Sequence, residues 1–306
     1  MDAHGPTVVA LGGNSLVRDG ERGSEHEQRA NVRRTVHALR SLVAGKPLVV
    51  THGNGPQVGN ELVRHERAAG EVPPLPVWLA VAQTQAEIGA LIAAELPRVV
   101  ARPVAVVLTH VRVDEDDPAF REPAKPIGPF YEEVDARRLE RERRWRLVRN
   151  SDRGWRRVVA SPLPRELVEV AAIRTLVDAG TAVVACGGGG IPVARRAAAL
   201  VGVDAVVDKD HSSALLAAAL AARHLVILTD VSAVQRGYGT PEAEDVAALT
   251  ASEASALARE LEAGSMRPKL EASAAFARAT GGEALITSAG ALDAALAGRA
   301  GTRVRP

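Results

Sequence analysis

One cysteine, Cys186, is the only thiol in this 306-residue chain. An intramolecular disulfide is thereby excluded, and a reducing, cytosolic setting fits. Aromatics are scarce at 3%, so the 46% of hydrophobic residues must build the core largely from Ala, Val and Leu. Neither sign of charge dominates: the formal net charge is +1, which argues against a whole-protein role on nucleic acid or on a membrane surface. No run of about 18 consecutive apolar residues occurs. The N-terminus, MDAHGPTVVALGGN, lacks a signal-peptide layout. The expectation is a soluble, cytoplasmic protein.

Several reaction signatures are missing too. The eight histidines are dispersed with no H-x-x-x-H pair, and a lone cysteine completes no ligand set, so no protein-held metal is expected. His52 and His110 end apolar runs, where core packing competes with a place at a site. No G-x-S-x-G elbow and no G-x-x-x-x-G-K-[ST] P-loop occur, and after Gly53-x-Gly55 the sixth position is Val58, so G-x-G-x-x-G fails as well.

Lysine is scarce in a more telling way. Of 38 basic residues, 34 are Arg and four are Lys: Lys46, Lys125, Lys209 and Lys269. A chain that uses Arg wherever a positive charge will do retains Lys where a compact point charge is needed, or by chance on the surface.

What the chain does contain is a rhythm. TVVAL leads to GGNS and then to an amphipathic segment, Glu27–Ala44. PLVVTH leads to GNGPQVGN, and VAVVLTHV follows a second helix near Val81–Ala94. TAVVA leads to CGGGG, AVVDKD to the helix SSALLAAALAA, then HLVILTDV, and late EALITS with helix ALDAAL. Strands apolar throughout and alternating with helices predict an α/β fold, a mostly parallel sheet covered on both faces. Ligands then bind beyond the carboxyl ends of the strands, where the glycine segments fall. The segment Asp114–Ser161 breaks the rhythm with DEDDPAF, EPAKPIGPFY and RRLERERRWRLVRNSDRGWRR. It reads as a subdomain inserted into one sheet domain, with the character of a lid.

Each motif admits a plain and a chemical reading. Gly12-Gly13-Asn14, Gly53-Asn54-Gly55 and the tetrad Gly187–Gly190 are tight turns, or places where backbone N–H groups approach a phosphate with no Cβ in the way. Around Asp208-Lys209-Asp210, either Asp210 or Ser212 caps a helix, or Lys209 neutralises a transferring phosphoryl group while Asp210 orients lysines. Gly264-Ser265-Met266-Arg267-Pro268-Lys269 opens a helix whose positive end, with Lys269, makes an anion site, or is a plain junction. The run Arg137–Arg157, with Trp145 and Trp155, fits single-stranded RNA or an exposed helix laced with ion pairs; its acids at i, i+3 and i+4 favour the helix.

Ten ordered segments resemble the carbamate kinases of the amino-acid kinase superfamily: VVALGGN, THGNGPQVG, VDEDDPAF, EPAKPIGPFY, GWRRVVASP, CGGGGIPV, AVVDKD, ILTDV, GSMRPK and GTRV. KPIGPFY and GGGGIPV are specific to carbamate kinases. The resemblance implies a three-layer αβα sandwich with the inserted subdomain at about 114–161, working as a homodimer. It implies reversible phosphoryl transfer between MgATP and carbamate, giving ADP and carbamoyl phosphate, with Mg²⁺ accompanying the nucleotide. Lys125, Lys209 and Lys269 then surround the phosphoryl group, and Asp210 holds lysines in place. Gly12, Gly13, Asn14, Gly53, Asn54, Gly55, Gly187 and Gly188 line the phosphoryl and carbamate side. Asp208, Thr229, Asp230, Val231, Ser265 and Met266 border the nucleotide. The chain departs from the pattern at Ser15, Ala86, His211, Gln235 and Arg267; none of these removes a charged group. A kinase of another small carboxylate, such as acetylglutamate, aspartate or glutamate, is the alternative on the same fold.

Overall fold

The computed structural model describes residues 5–18, 20–43, 45–149, 153–261 and 265–306. Eight short runs pair into its largest sheet: β1 (Thr7–Leu11), β2 (Leu48–His52), β3 (Val104–Val106), β4 (Ala182–Val184), β5 (His224–Thr229), β6 (Ala248–Thr250), β7 (Glu283–Ser288) and β8 (Thr302–Arg305). Their spatial order is β6-β8-β7-β5-β1-β2-β4-β3. From β7 to β3 every pairing is parallel. β8 runs antiparallel to β7 and pairs in parallel with β6.

Side chains alternate across a strand, so a strand apolar throughout needs cover on both faces. Val8 and Ala10 of β1 enter one buried apolar cluster, while Val9 and Leu11 enter the other. Leu225 and Ile227 of β5 part from Val226 and Leu228 in the same way. Helices Lys209–Ala219, Ala251–Glu260 and Met266–Thr280 cover the first face, through Leu216, Leu257 and Phe276. Helices Glu25–Ala38 and Val77–Glu95 cover the second, through Val32, Val36, Ile88 and Ile92. The result is the three-layer αβα sandwich expected from the sequence. Each fully buried Val or Leu contributes about 1.5–3 kcal/mol, which is how a core almost without aromatics suffices.

Local chemistry fixes the helix ends. Ser24 and Glu27 form a reciprocal capping box that starts Glu25–Ala38 earlier than the expected Glu27. That helix stops at Ala38 and a short one, Arg40–Val43, follows; Ala44 lies outside the described residues. Asp208, rather than Asp210 or Ser212, caps Lys209–Ala219 by accepting from the Asp210 amide. The helix Val77–Arg98 is long and apolar enough to cross a membrane by length and composition. Here it packs on the sheet, with Thr84 and Gln85 on its buried side.

Three expectations differ. VAVVLTHV divides between β3 and a strand His110–Arg112 of a second sheet. CGGGG leads into another strand of that sheet, Ile191–Arg196, and not into a helix. AVVDKD contains no strand, because the Val206 amide bonds to the Ala160 carbonyl at 2.9 Å instead of joining a ladder.

Within residues 114–161, Lys125–Tyr131, Trp155–Val159 and Arg146–Arg149 form a separate three-stranded sheet beside the helix Glu133–Arg143. That helix carries ion pairs from Arg137 to Glu133 and Glu140, and from Arg138 to Asp135. Within the described part of Arg137–Arg157 the helix ends at Arg143; Arg137 on it and Arg157 after it lie over the Trp155 and Trp145 rings at 4.4 and 4.3 Å. The small sheet is seated on the helix Gly55–Arg67, where a Cβ on Gly59 would lie 1.9 Å from Gly128 Cα. Ile127 and Val159 join Val58, Leu62 and Val206 in a small buried cluster beneath it.

Candidate active site

β5, β1, β2 and β4 are consecutive and parallel, so the segments after their carboxyl ends meet at one rim. These segments are Thr229-Asp230-Val231, Gly12-Gly13, Gly53-Asn54-Gly55 and the glycine tetrad.

The tetrad is packed. Gly188, Gly189 and Gly190 have φ of 64°, 87° and 91°, a region that L side chains rarely adopt. Gly187, Gly188 and Gly189 also lack room for a side chain. A Cβ on Gly187 would lie 2.3 Å from His52 Nε2, one on Gly188 2.3 Å from Asn54 Nδ2, and one on Gly189 2.2 Å from the Val207 carbonyl oxygen. The glycines thus let this turn press against the Gly53-Asn54 turn and the strap before Asp208.

Polar side chains from the helix Val77–Glu95 lock the turns together. Gln85 Nε2 donates to the Gly187 carbonyl at 2.9 Å, and Gln85 Oε1 accepts from the Thr109 amide at 2.6 Å. Asn54 Nδ2 donates to Thr84 Oγ1 at 2.9 Å, and Ser212 Oγ to the Gly189 carbonyl at 2.7 Å. His52 is fully buried with Nδ1 3.0 Å from the Gly53 carbonyl. Burial pushes its imidazole down to about 4, so it is neutral at physiological pH. Cys186 is also buried, and burial pushes its thiol up to about 12, which leaves it unreactive as a nucleophile.

Three of the four lysines converge on the mouth of this rim, and the fourth, Lys46, is exposed. Lys209 Nζ bonds to Asp210 Oδ1, while Lys269 Nζ lies 3.1 Å from Asp210 Oδ2 and 3.0 Å from the Ser265 carbonyl. Lys125 Nζ, from the small sheet, bonds to Asp208 Oδ2, and Asp208 Oδ1 accepts from the Asp210 amide at 2.9 Å. A chain of linked groups therefore runs Lys125–Asp208–Asp210, the two aspartates joined through the Asp210 amide, with Lys209 and Lys269 on the last carboxylate. Gly53 lies under the Lys209 stem, 3.3 Å from its Cδ by the position a Cβ would take.

Burial opposes the charge of every group here, and partners outweigh it for three of the four. For Asp210, Lys209 and Lys269 outweigh burial and hold the carboxyl below its usual range. For Asp208, Lys125 and His211 do the same. Lys269 stays above its ordinary value despite burial, because Asp210, Asp208 and Asp230 face it. Lys209 falls below its ordinary value: burial and repulsion from Lys269 exceed the pull of Asp210.

Gly12, Thr229 and Asp230 line a cavity of about 390 Å³ together with Ser288, Ala289 and Gly290. Gly13 borders a second cavity with Gly128, on the side of the small sheet. Gly55 begins the helix Gly55–Arg67 and has open space where a Cβ would be. Ser265 meets the cluster through its carbonyl, whereas Met266 packs against the core and Val231 lies beyond Asp230, partly buried. The Asn14 side chain and Gly264 lie outside the described residues. The departures have local partners: Arg267 Nε lies 2.9 Å from Glu271 and His211 Nε2 3.3 Å from the same carboxylate, and Gln235 Nε2 donates to Asp245 at 2.8 Å.

Sequence reasoning missed Thr84 and Gln85. Their signal was two polar residues at i+3 and i+4 from Val81 on an otherwise apolar helix face.

The amino acid kinase family model matches residues 5–288. Carbamate kinase from Halobacterium salinarum is 43% identical over 98% of this chain and 98% of its own length. The chain belongs to the carbamate kinases of the amino acid kinase family. Two solved carbamate kinase structures from Giardia lamblia agree throughout. One, bound to citric acid, is 37% identical with a TM-score of 0.93 and covers 100% of this chain and 99% of that one. The other, bound to AMP-PNP, is 38% identical with a TM-score of 0.89 at the same coverage.

Proposed function

We propose that this chain catalyses reversible phosphoryl transfer between MgATP and carbamate, with Lys125, Lys209, Lys269 and Asp210 as its catalytic residues. The observation that carries the reading is the convergence of three lysines, in a chain with four, on two linked aspartates at the sheet's carboxyl rim.

In the forward direction a carbamate oxygen forms a bond to the γ-phosphorus as the bond to the β-phosphate bridging oxygen breaks, leaving ADP. Carbamate is already an anion, so no general base is required, and neutral His52 has no proton to take. What the reaction needs is neutralisation of the moving phosphoryl group and fixed geometry. Lys209 and Lys269 supply point charges there, and Asp210 fixes both ammonium groups against mutual repulsion. Lys125 arrives from the small sheet, part of a lid made by residues of about 114–161, which excludes water from carbamate and from the acyl phosphate. The start of the helix Lys209–Ala219 adds its positive end.

The glycine turns at 12–13, 53–55 and 187–188, with Asn14, bound the acceptor and phosphoryl side. Asp208, Thr229, Asp230, Val231, Ser265 and Met266 bound the nucleotide. Mg²⁺ enters on the nucleotide's phosphates as part of the substrate; both oxygens of Asp210 are engaged by lysines, so it is a poor candidate ligand. A cytoplasmic homodimer is the state we propose, resting on the family resemblance and, for the compartment, on the lone buried thiol.

An assay of ADP formation across carbamate, acetylglutamate, aspartate and glutamate tests the acceptor. Activity with carbamate alone is expected. Selective activity on an amino acid would overturn the assignment in favour of another carboxylate kinase.

A further inference from the structure

A cavity of about 380 Å³ opens between the small sheet, the loop after β1 and the helix Gly55–Arg67. Five arginines line it, Arg18, Arg22, Arg64, Arg153 and Arg156, against two glutamates, a formal excess of three positive charges. None of Lys125, Lys209, Lys269, Asp208 or Asp210 lines it.

Neither glutamate forms an ion pair with Arg18, Arg22 or Arg156: Glu21 Oε2 accepts from the Arg18 amide and from Asn31 Nδ2, at 2.8 and 2.5 Å, while Glu87 is exposed. Arg64 is engaged by Glu61. Among the described residues no carboxylate pairs with Arg18, Arg22 or Arg156. Arg156 is partly buried: its Nε donates to the Gly128 carbonyl at 3.0 Å, and its guanidinium shares the Phe130 ring with that of Arg153, at 5.3 and 4.3 Å. A partly buried guanidinium beside a second one, with one N–H donor spent on a carbonyl, leaves donors free to hold an anion. Planar guanidinium forks suit oxyanions.

We propose that this cavity is an anion site, separate from the lysine cluster, that takes a compact dianion and ties the small sheet to the body of the protein. Arg156 belongs to the small sheet, whereas Arg18 and Arg22 belong to the loop after β1. One dianion between them replaces repulsion across the cleft with attraction. Dicarboxylates and inorganic oxyanions share the required chemistry.

Isothermal titration calorimetry of the full chain without nucleotide tests this, with malonate and sulfate as separate probes and acetate as the monoanion control. One-to-one binding of either dianion, tighter than acetate, is expected; which dianion wins identifies the source. Arg156→Gln and the exposed Arg22→Gln should each weaken binding about tenfold or more. Bound dianion should also raise the thermal midpoint of the wild-type protein and not that of Arg22→Gln. Carbamoyl phosphate added beforehand should leave malonate binding in place. Displacement by carbamoyl phosphate, equal binding of acetate, or unchanged affinity in the folded Arg22→Gln protein would each overturn the proposal. None of these readouts depends on turnover, so failure here leaves the kinase reading standing.

Discussion

Replacing Asp210 by Asn removes one negative charge and almost no volume. Asp210 is 2% exposed and its two oxygens hold Lys209 and Lys269. Without the carboxylate, two buried ammonium groups face each other with Asp208 as the nearest remaining anion. Breaking a buried pair by removing one partner costs about 3–5 kcal/mol, because the remaining charge is left uncompensated. Urea denaturation should show a loss in that range. The loss of an oriented charge at the phosphoryl group should lower turnover about a hundredfold or more. A third effect is specific to the geometry. Lys209 already lies below its ordinary range through burial and Lys269, and Asp210 is what pulls it up. In Asp210→Asn that pull is gone, so Lys209 sheds its proton at lower pH. Its activity relative to wild type should therefore fall as pH rises across the range in which both proteins stay folded. Steady-state rates across that range, measured on protein shown to be folded, check the sign. Wild-type stability with a flat activity ratio would refute the role given to Asp210.

Three further outcomes are expected. Gly59→Ala drives a methyl into Gly128, 1.9 Å from its Cα, so it should displace the small sheet and lower kcat more than nucleotide binding, measured by steady-state kinetics and nucleotide titration. His52 has a folded-state value of about 4 against 6.5 when free, so the unfolded chain takes the proton first as pH falls. Its contribution is complete above about 6.5 and is lost as pH drops towards 4, by about 3 kcal/mol in all, which His52→Gln should remove from the acid-stability profile in urea titrations. Cys186, buried with its thiol pushed up to about 12, should not react with an aromatic disulfide reagent in native buffer and should titrate as one thiol in denaturant.

How far the sequence reached depended on what each residue was read against. Lys125, Lys209 and Lys269 stood out because Arg fills nearly every other basic position, and the fold brings those three together. The parallel sheet was legible because its central strands are apolar runs, three of them followed closely by glycine. The tetrad was legible as a strand-end turn, but not its purpose. Room for the substrate was expected there, whereas His52, Asn54 and the Val207 carbonyl occupy the space a side chain would need. AVVD had strand composition, yet the Val206 amide bonds to the Ala160 carbonyl and the segment joins no ladder. Thr84, Gln85 and Arg156 act through partners far away in sequence, and no local pattern announces such partners.

The most direct test of the central claim is ATP formation from carbamoyl phosphate and ADP in the presence of Mg²⁺, followed with a coupled assay in wild-type protein and in Lys125→Ala, Lys209→Ala and Lys269→Ala. The account predicts robust ATP synthesis by the wild type and a loss of about a hundredfold or more in each folded variant. No ATP synthesis by the wild type, or near-wild-type rates in any two of the variants, would contradict it.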